Sequence, residues 1–364
     1  MTKIVTFGEI MGRLTPPGFM RLHQGLPGTL DVTFAGAEAN VAASLAMLGL
    51  DASFVSALPS NPLSDACLAS VRSRGVCVDD VLMRDDGRLG LYFLETGANQ
   101  RPSRVIYDRD GSTISLTEPD AYDWTTIFAG ADWFHVTGIT PAVSKAAADA
   151  TLAAVRAAKQ QGLTVSCDLN FRAKLWRWDS SRSRHDLAGA TMREILPSVD
   201  VLIANEEDCG DVLGIRAEGT DVHSGSLDVH RYPDVARRVA AEFPQLKTIA
   251  TTLRESISAS HNNWGAMLLD VASDRPYFAP LAGENYEPYE IRNIVDRVGG
   301  GDSFAAGLIF GLTQTDDYPT PQEALDFAVA ASCLAHSIIG DFNFSSRTEI
   351  DALAGGSASG RVVR

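Results

Sequence analysis

Apolar runs of strand length alternate with helical patterns along most of this chain, and that alternation restricts the fold more than any other feature. "KIVTFGEI" (3–10), "DASFVSAL" (51–58), "ADWFHVTG" (131–138), "LTVSCDLN" (163–170), "VDVLIAN" (199–205) and "LKTIATTL" (246–253) read as strands. Between them, "AEANVAASLAMLG" (37–49), "PLSDACLASVRSRG" (62–75) and "SKAAADATLAAVRAAKQQG" (144–162) read as helices, each closed by a glycine. Further helices are predicted at 182–196, 206–214, 233–243, 302–314 and 321–339, with two more strands at 256–260 and 265–270. Near-continuous apolar strands separated by helices predict a mostly parallel sheet covered on both faces, an α/β/α sandwich. With 364 residues, 45% of them hydrophobic and 21% charged, the chain can bury the core that such a sandwich needs.

The alternation breaks between 76 and 110. There "VDDVLMR", "GLYFLET" and "SRVIYDR" follow one another as strand-like runs without a helix, which predicts a local antiparallel patch. Residues 11–34, rich in Gly, Pro and Thr, add the short run "TLDVTF". Two separate segments, about 13–35 and 88–111, are therefore expected to build one small sheet, a lid over a cleft, with the core drawn from 1–12, 36–87 and 112–364. An edge elaboration of the main sheet is the alternative. The polar stretch 216–231 is expected to be a surface insertion, and 353–364 a mobile tail.

Charge and cysteine usage exclude several function classes. Lys and Arg total 31 against 46 Asp and Glu, a net charge of −15. That argues against duplex nucleic acid or an anionic membrane as partner, but not against small anions in a local pocket. The start shows no signal-peptide pattern, and no apolar run is long enough to span a bilayer. Five scattered cysteines without a C-x-x-C pair read as reduced thiols in a cytoplasmic protein.

The stretch most informative about chemistry is "IVDRVGGGDSFAAGLIFGL", 294–312. Gly299, Gly300 and Gly301 precede a helical pattern. Flexible glycine amides and the unpaired N–H groups of a helix N-terminus together make an anion hole suited to a phosphate. Asp302 stands where the helix starts. Amide donors there are expected to keep its carboxylate ionised, so that it can take a proton from an attacking hydroxyl. Helix N-capping is the competing reading of Asp302. No G-x-x-x-x-G-K-[ST] and no G-x-G-x-x-G after the first strand are present, which removes the P-loop and dinucleotide-binding classes.

Two distant stretches, "GAEANVAASLAMLG" (36–49) and "DRVGGGDSFAAG" (296–307), resemble the two signatures of the PfkB/ribokinase family of sugar kinases. Within it, "GLYFLETG", "RVIYDRDGS", "GITPA" and "VSCDLNFRAKLW" are most similar to 2-keto-3-deoxygluconate kinases. The resemblance implies a ribokinase-like α/β/α fold with a small β-sheet lid. It makes Asp302 the catalytic base and Gly299, Gly300 and Gly301 the anion hole. Substrate contacts fall on Gly36, Asn40, Tyr92, Tyr107, Arg109, Asn170, Arg172 and Asp341. Nucleotide contacts fall on Asn205, Thr252, Arg254, Gly299 and Gly301, and the magnesium-linked position falls on Asp208, an Asp where the family has Glu. ATP and Mg2+ are implied as cofactors, K+ is left open, and a homo-oligomer is expected. Arg297 stands where many relatives carry Thr, and contact with phosphate and exposure to solvent are both open to it.

A sugar acid brings a carboxylate, and an acidic protein must hold it with specific cations. Arg109 and Arg172 are expected to do so. The expected reaction is ATP-dependent phosphorylation of 2-keto-3-deoxygluconate at its terminal hydroxyl. Other sugars, or a sensor that binds without turnover, are the alternatives.

Overall fold

The structure is a computed structural model and describes residues 2–216 and 228–357. Most of the expected insertion at 216–231 and most of the expected tail at 353–364 lie outside the described residues. In chain order the strands are β1 (Lys3–Phe7), β2 (Met11–Thr15), β3 (Asp31–Ala35), β4 (Asp51–Val55), β5 (Ala57–Pro59), β6 (Leu82–Arg84), β7 (Gly90–Glu95), β8 (Arg104–Asp108) and β9 (Trp133–Thr137). Then come β10 (Thr164–Asp168), β11 (Val201–Ala204), β12 (Thr248–Ser258), β13 (His261–Asp270), β14 (Arg275–Ala279), β15 (Leu281–Ala282), β16 (Asn285–Tyr286) and β17 (Tyr289–Ile291). The helices are α1 (Leu22–Gly25), α2 (Ala37–Met47), α3 (Pro62–Arg72), α4 (Thr113–Leu116), α5 (Trp124–Ile127), α6 (Ile139–Val143) and α7 (Lys145–Gln160). They continue with α8 (Arg184–Ile195), α9 (Asp208–Leu213), α10 (Tyr232–Glu242), α11 (Gly300–Thr313), α12 (Pro321–Ala335) and α13 (Arg347–Ala354).

The large sheet runs β14-β13-β12-β11-β10-β9-β1-β4, with β17 added on β13. From β4 to β12 every neighbouring pair is parallel, and β13 then turns antiparallel. Alternation of side chains along β1 shows why both faces are covered. Val5 and Phe7 enter the core layer beneath α7, α8 and α10, whereas Ile4 enters the layer beneath α2, α11 and α12. Helices α11 and α12 touch backbone to backbone. A Cβ on Gly307 would stand 2.8 Å from Ala328 Cα, so the glycine is required by the packing.

The interruption in the alternation corresponds to a separate four-stranded sheet, ordered β3-β2-β7-β8. Register sorts its two faces. Thr33, Arg13, Tyr92 and Tyr107 form one cross-strand row, and Val32, Leu14, Phe93 and Ile106 form the next. In the first row Arg13 and Tyr92 are buried, whereas in the second Val32 and Ile106 are exposed.

Three expectations need correction. "VDDVLMR" does not join this sheet: it shortens to β6, which pairs in parallel with β5. The sheet is not wholly antiparallel, because β2 and β7 run parallel. "SISAS" is no separate strand but the far end of β12, whose long hairpin with β13 projects past the sheet. Polar residues along 254–258 hide that continuity from a hydrophobic pattern.

Candidate active site

The parallel strands end at one rim. Thr137 closes β9, Asp168 closes β10 and Ala204 closes β11. Open α/β sheets place ligands at this carboxyl edge. A cavity of about 530 Å³ opens there, roofed by the small sheet.

Its floor is the turn into α11. Gly299 is the N-cap with φ of 85°, and a Cβ there would come within 2.3 Å of the Asp341 carbonyl oxygen. Any other residue would be strained and obstructed. The first helical bond runs from Ser303 N to the Gly299 carbonyl at 2.8 Å. The amides of Gly300, Gly301 and Asp302 are therefore left over at the positive end of a buried helix. Gly299 and Gly301 line the cavity. Gly300 does not: it is buried, with His336 3.0 Å from where its Cβ would be.

Asp302 lies in the first turn and lines the cavity. The capping reading fails, because Gly299 holds the cap position. The expectation that amides keep the carboxylate ionised fails too. Instead, loss of solvent raises its pKa to about 6, partly opposed by a 2.6 Å hydrogen bond from Asn40 Nδ2. Asn40 also accepts from Gly36 N at 3.3 Å, which fixes its amide at the start of α2. Glu38, two residues before Asn40, turns its carboxyl to the end of β9. It is buried, and its Oε1 accepts from Thr137 N, Thr137 Oγ1 and Thr140 Oγ1. Burial raises its pKa to about 7.

One side of the cavity is knit by charge. Arg13, on β2, is bound to both Asp296 and Asp341. Tyr92 donates to Asp341 at 2.9 Å, and Tyr107 packs beside Tyr92 with ring centroids 6.3 Å apart. The small sheet is thereby joined to the segment before the glycine turn and to the segment after α12 that packs on Gly299. Nearby, Asn170 adopts φ of 39° and donates its backbone N–H to Asp168 at 3.1 Å. Asp208 accepts from Phe171 N at 3.0 Å and Asn205 N at 2.9 Å. Burial, together with mutual repulsion, holds the Asp168 carboxyl well above its ordinary range. Asp208 is raised by burial as well. Arg172 is exposed at the rim and lines the cavity.

Arg109 is not brought to the site. It is buried in an ion pair with Glu9 and lies outside the cavity lining. A carboxylate 100 positions away in the chain takes the charge that the sequence reserved for a ligand. Gly36, Asn40, Tyr92, Tyr107, Asn170, Arg172, Asn205, Asp208, Thr252, Arg254, Asp302 and Asp341 do line it.

The opposite side is the β12–β13 hairpin. Thr252, Arg254, Asn262 and Trp264 line the cavity, joined by Glu206, Arg297 and His336. Arg254 Nη2 donates to Glu206 Oε1 at 3.0 Å. Arg297 donates to the carbonyls of Ser258 (3.1 Å) and Ala259 (3.0 Å) and to Asn262 Oδ1 (3.3 Å).

Sequence reasoning missed Arg13, Asp296, Lys174, Glu206, Asn262, Trp264 and His336. Asp296 opens the motif that contains Asp302, so its carboxylate was in view. Arg13 faces the same side as Tyr92, but only the register tells that. Lys174, from "NFRAKLW", donates to the Val105 carbonyl of β8 at 2.9 Å.

Among the described residues no three His, Cys, Asp or Glu side chains converge as a metal site. None of the described helices is long and apolar enough to cross a membrane.

A model of the "pfkB family carbohydrate kinase" matches residues 1–225. A 2-dehydro-3-deoxygalactonokinase of Haloferax volcanii is 30% identical over 357 residues, covering 98% of each chain. A 2-dehydro-3-deoxygluconokinase of Bacillus subtilis is 27% identical over 312 residues, covering 85% of this chain and 82% of that one. The solved structure of a 2-dehydro-3-deoxygluconokinase from Thermotoga maritima superimposes with a TM-score of 0.87 at 46% identity, covering 98% of this chain and 100% of that one. A ribokinase-like sheet, a glycine turn beneath a cavity and these likenesses agree, and the chain belongs to the pfkB family of carbohydrate kinases.

Proposed function

We propose that this kinase phosphorylates 2-keto-3-deoxygluconate, also called 2-dehydro-3-deoxygluconate, at its terminal hydroxyl with ATP as donor. The observation that carries the reading is Asp302 at the glycine turn, in one cavity with Asn40, Tyr92, Tyr107 and Arg172. Asp302 takes the proton of the attacking hydroxyl as that oxygen bonds to the terminal phosphorus. The bond from phosphorus to the bridging oxygen breaks, and its electron pair leaves with ADP. The spare amides at the start of α11 stabilise the transferring charge. Arg172 takes the substrate carboxylate from the rim, and Tyr92 and Tyr107 wall the sugar. The four-stranded sheet acts as the lid that keeps water out.

Mg2+ fits the donor set without a cage of protein ligands. Asp168 and Asp208 offer hard oxygens in a carboxylate-rich pocket, suited to an ion that keeps its waters and arrives with phosphates. When bound, the ion supplies charge neutralisation between the phosphates.

The galacto epimer is the second reading, favoured by the Haloferax volcanii relative. A coupled ADP-release assay tests both, using Mg-ATP with the two ketodeoxy acids, gluconate, fructose, ribose and adenosine. Turnover on the ketodeoxy acids alone is expected, with the gluco form preferred. Preference for a neutral sugar would overturn the role given to Arg172.

A further inference from the structure

Arg297 is a half-buried cation with no ion pair of its own, and the carboxylate that favours its charge, Asp296, is already bound to Arg13. Among the described residues no carboxylate lies within ion-pair distance of it. One of its Nη atoms makes all three of its hydrogen bonds, to the hairpin turn, and its buried Nε has no acceptor. A second guanidinium, Arg254, is close enough to repel it, and burial and that repulsion push its pKa down against the opposing pull of Asp296. Arg254 spends one Nη on Glu206, and its buried Nε has no acceptor either. Glu206 is bound to Arg254 and Asp296 to Arg13, so Arg297 has no carboxylate to itself. His336, beside them, brings no compensating charge: its Nδ1 is bound to the Ser332 carbonyl, and burial lowers its pKa.

Holding two guanidinium groups together with partial desolvation is unfavourable. A hairpin strap needs only neutral donors, so the charge itself asks for a partner. The position says which. Arg297 stands two residues before Gly299 and lines the same cavity. An anion reaching both arginines and the spare amides of α11 must carry several negative charges along its length, as a polyphosphate does.

We propose that Arg297, seconded by Arg254, is a further catalytic residue: its guanidinium holds the terminal phosphates of the donor and neutralises the charge left on the departing diphosphate. This rests on the kinase reading above. The bond that breaks joins the terminal phosphorus to the bridging oxygen. The electron pair stays on that oxygen, where Arg297 meets it, and the hydroxyl proton goes to Asp302 at the other end of the line of transfer.

The test compares wild type, R297A and R297K. Turnover of Mg-ATP with the sugar acid is measured beside calorimetric binding of ATP, ADP and AMP. In R297A, kcat is expected to fall about 10²–10³-fold, as for an arginine that touches a transferring phosphoryl group. Affinity for ADP falls about tenfold while that for AMP stays level, since only the terminal phosphates lose a partner. KM for the sugar acid stays within about twofold, and millimolar guanidinium, but not urea, restores part of the rate. R297K keeps the charge without the fork, so its kcat falls between the other two, which covers the case in which R297A folds poorly. A kcat within threefold of wild type, or equal losses for ADP and AMP, would overturn the inference. Absence of turnover in wild type on every sugar acid would instead sink the kinase reading, while the ADP–AMP comparison still decides the phosphate contact.

Discussion

The two sides of the cavity treat buried arginine in opposite ways. On the small-sheet side, Arg13 is held between Asp296 and Asp341, with Tyr92 bound to the same Asp341. On the hairpin side, Arg297 has carbonyls and an amide oxygen but no carboxylate. A buried ion whose partners are all protein groups builds architecture, and one whose charge is unmatched is prepared for a ligand. Asp302, between the two sides, belongs to neither class: its carboxylate has one neutral partner and a pKa lifted by burial.

Replacing Asp302 gives the largest expected effect. D302N keeps an oxygen for Asn40 and removes the proton acceptor. Turnover should fall by about 10³-fold or more, at the upper end of what a positioned base contributes. The wild-type rate should decline as pH drops through about 6, where Asp302 protonates. Stability moves the other way. A carboxyl whose folded pKa exceeds its unfolded value supports the fold while protonated, and that support is lost as pH rises through the folded pKa. D302N should therefore be more stable than wild type at pH 8, by roughly 1–3 kcal/mol, with the gap closing towards pH 4. Urea unfolding at the two pH values measures it. Equal stability at pH 8 would mean that Asp302 is not strained and belongs with the paired charges.

Arg13 breaks or keeps the comparison most directly. R13M leaves Asp296 and Asp341 buried and unmatched, which should cost about 3–5 kcal/mol of stability. Adding D296N and D341N should recover part of that loss. R297A, which strands no carboxylate, should cost less than about 1 kcal/mol in the same unfolding experiment. Equal losses for R13M and R297A would erase the distinction between the two sides.

What was legible in the sequence follows from which physics is local. Strands buried on both faces, such as Trp133–Thr137 and Val201–Ala204, carry their own signal. So do the glycines before α11, because the left-handed turn at Gly299 admits little else. Pairings across long separations carry none. Arg13 meets Asp341, 328 positions away, and Arg109 meets Glu9, 100 positions away. Arg13 lies within a lid strand and Arg109 just past the end of another, so pattern alone does not say which is paired inside the protein. Only register and the location of carboxylates separate them from Arg172. The β12 extension was lost for a similar reason, since Arg254 and Glu255 are held by cross-strand partners that composition does not reveal.

The contrast between Arg172 and Arg109 gives the smallest effect and the sharpest reading of the rim. Arg172 is exposed, with a single hydrogen bond to its neighbour's carbonyl, Phe171 O, at 3.3 Å. Its guanidinium is therefore available for a bidentate carboxylate contact, worth about 1.5–3 kcal/mol as a charge-assisted pair. R172A should raise KM for the ketodeoxy acid by roughly 10–100-fold and leave KM for ATP within about twofold. Arg109 is already matched by Glu9, so R109Q should act through stability and leave KM for the acid nearly unchanged. If R109Q raises KM as R172A does while its unfolding midpoint holds, the Glu9 pair opens on binding. Arg109 would then move from the architectural class to the ligand class, and matched charge would no longer be enough to exclude a residue from the site.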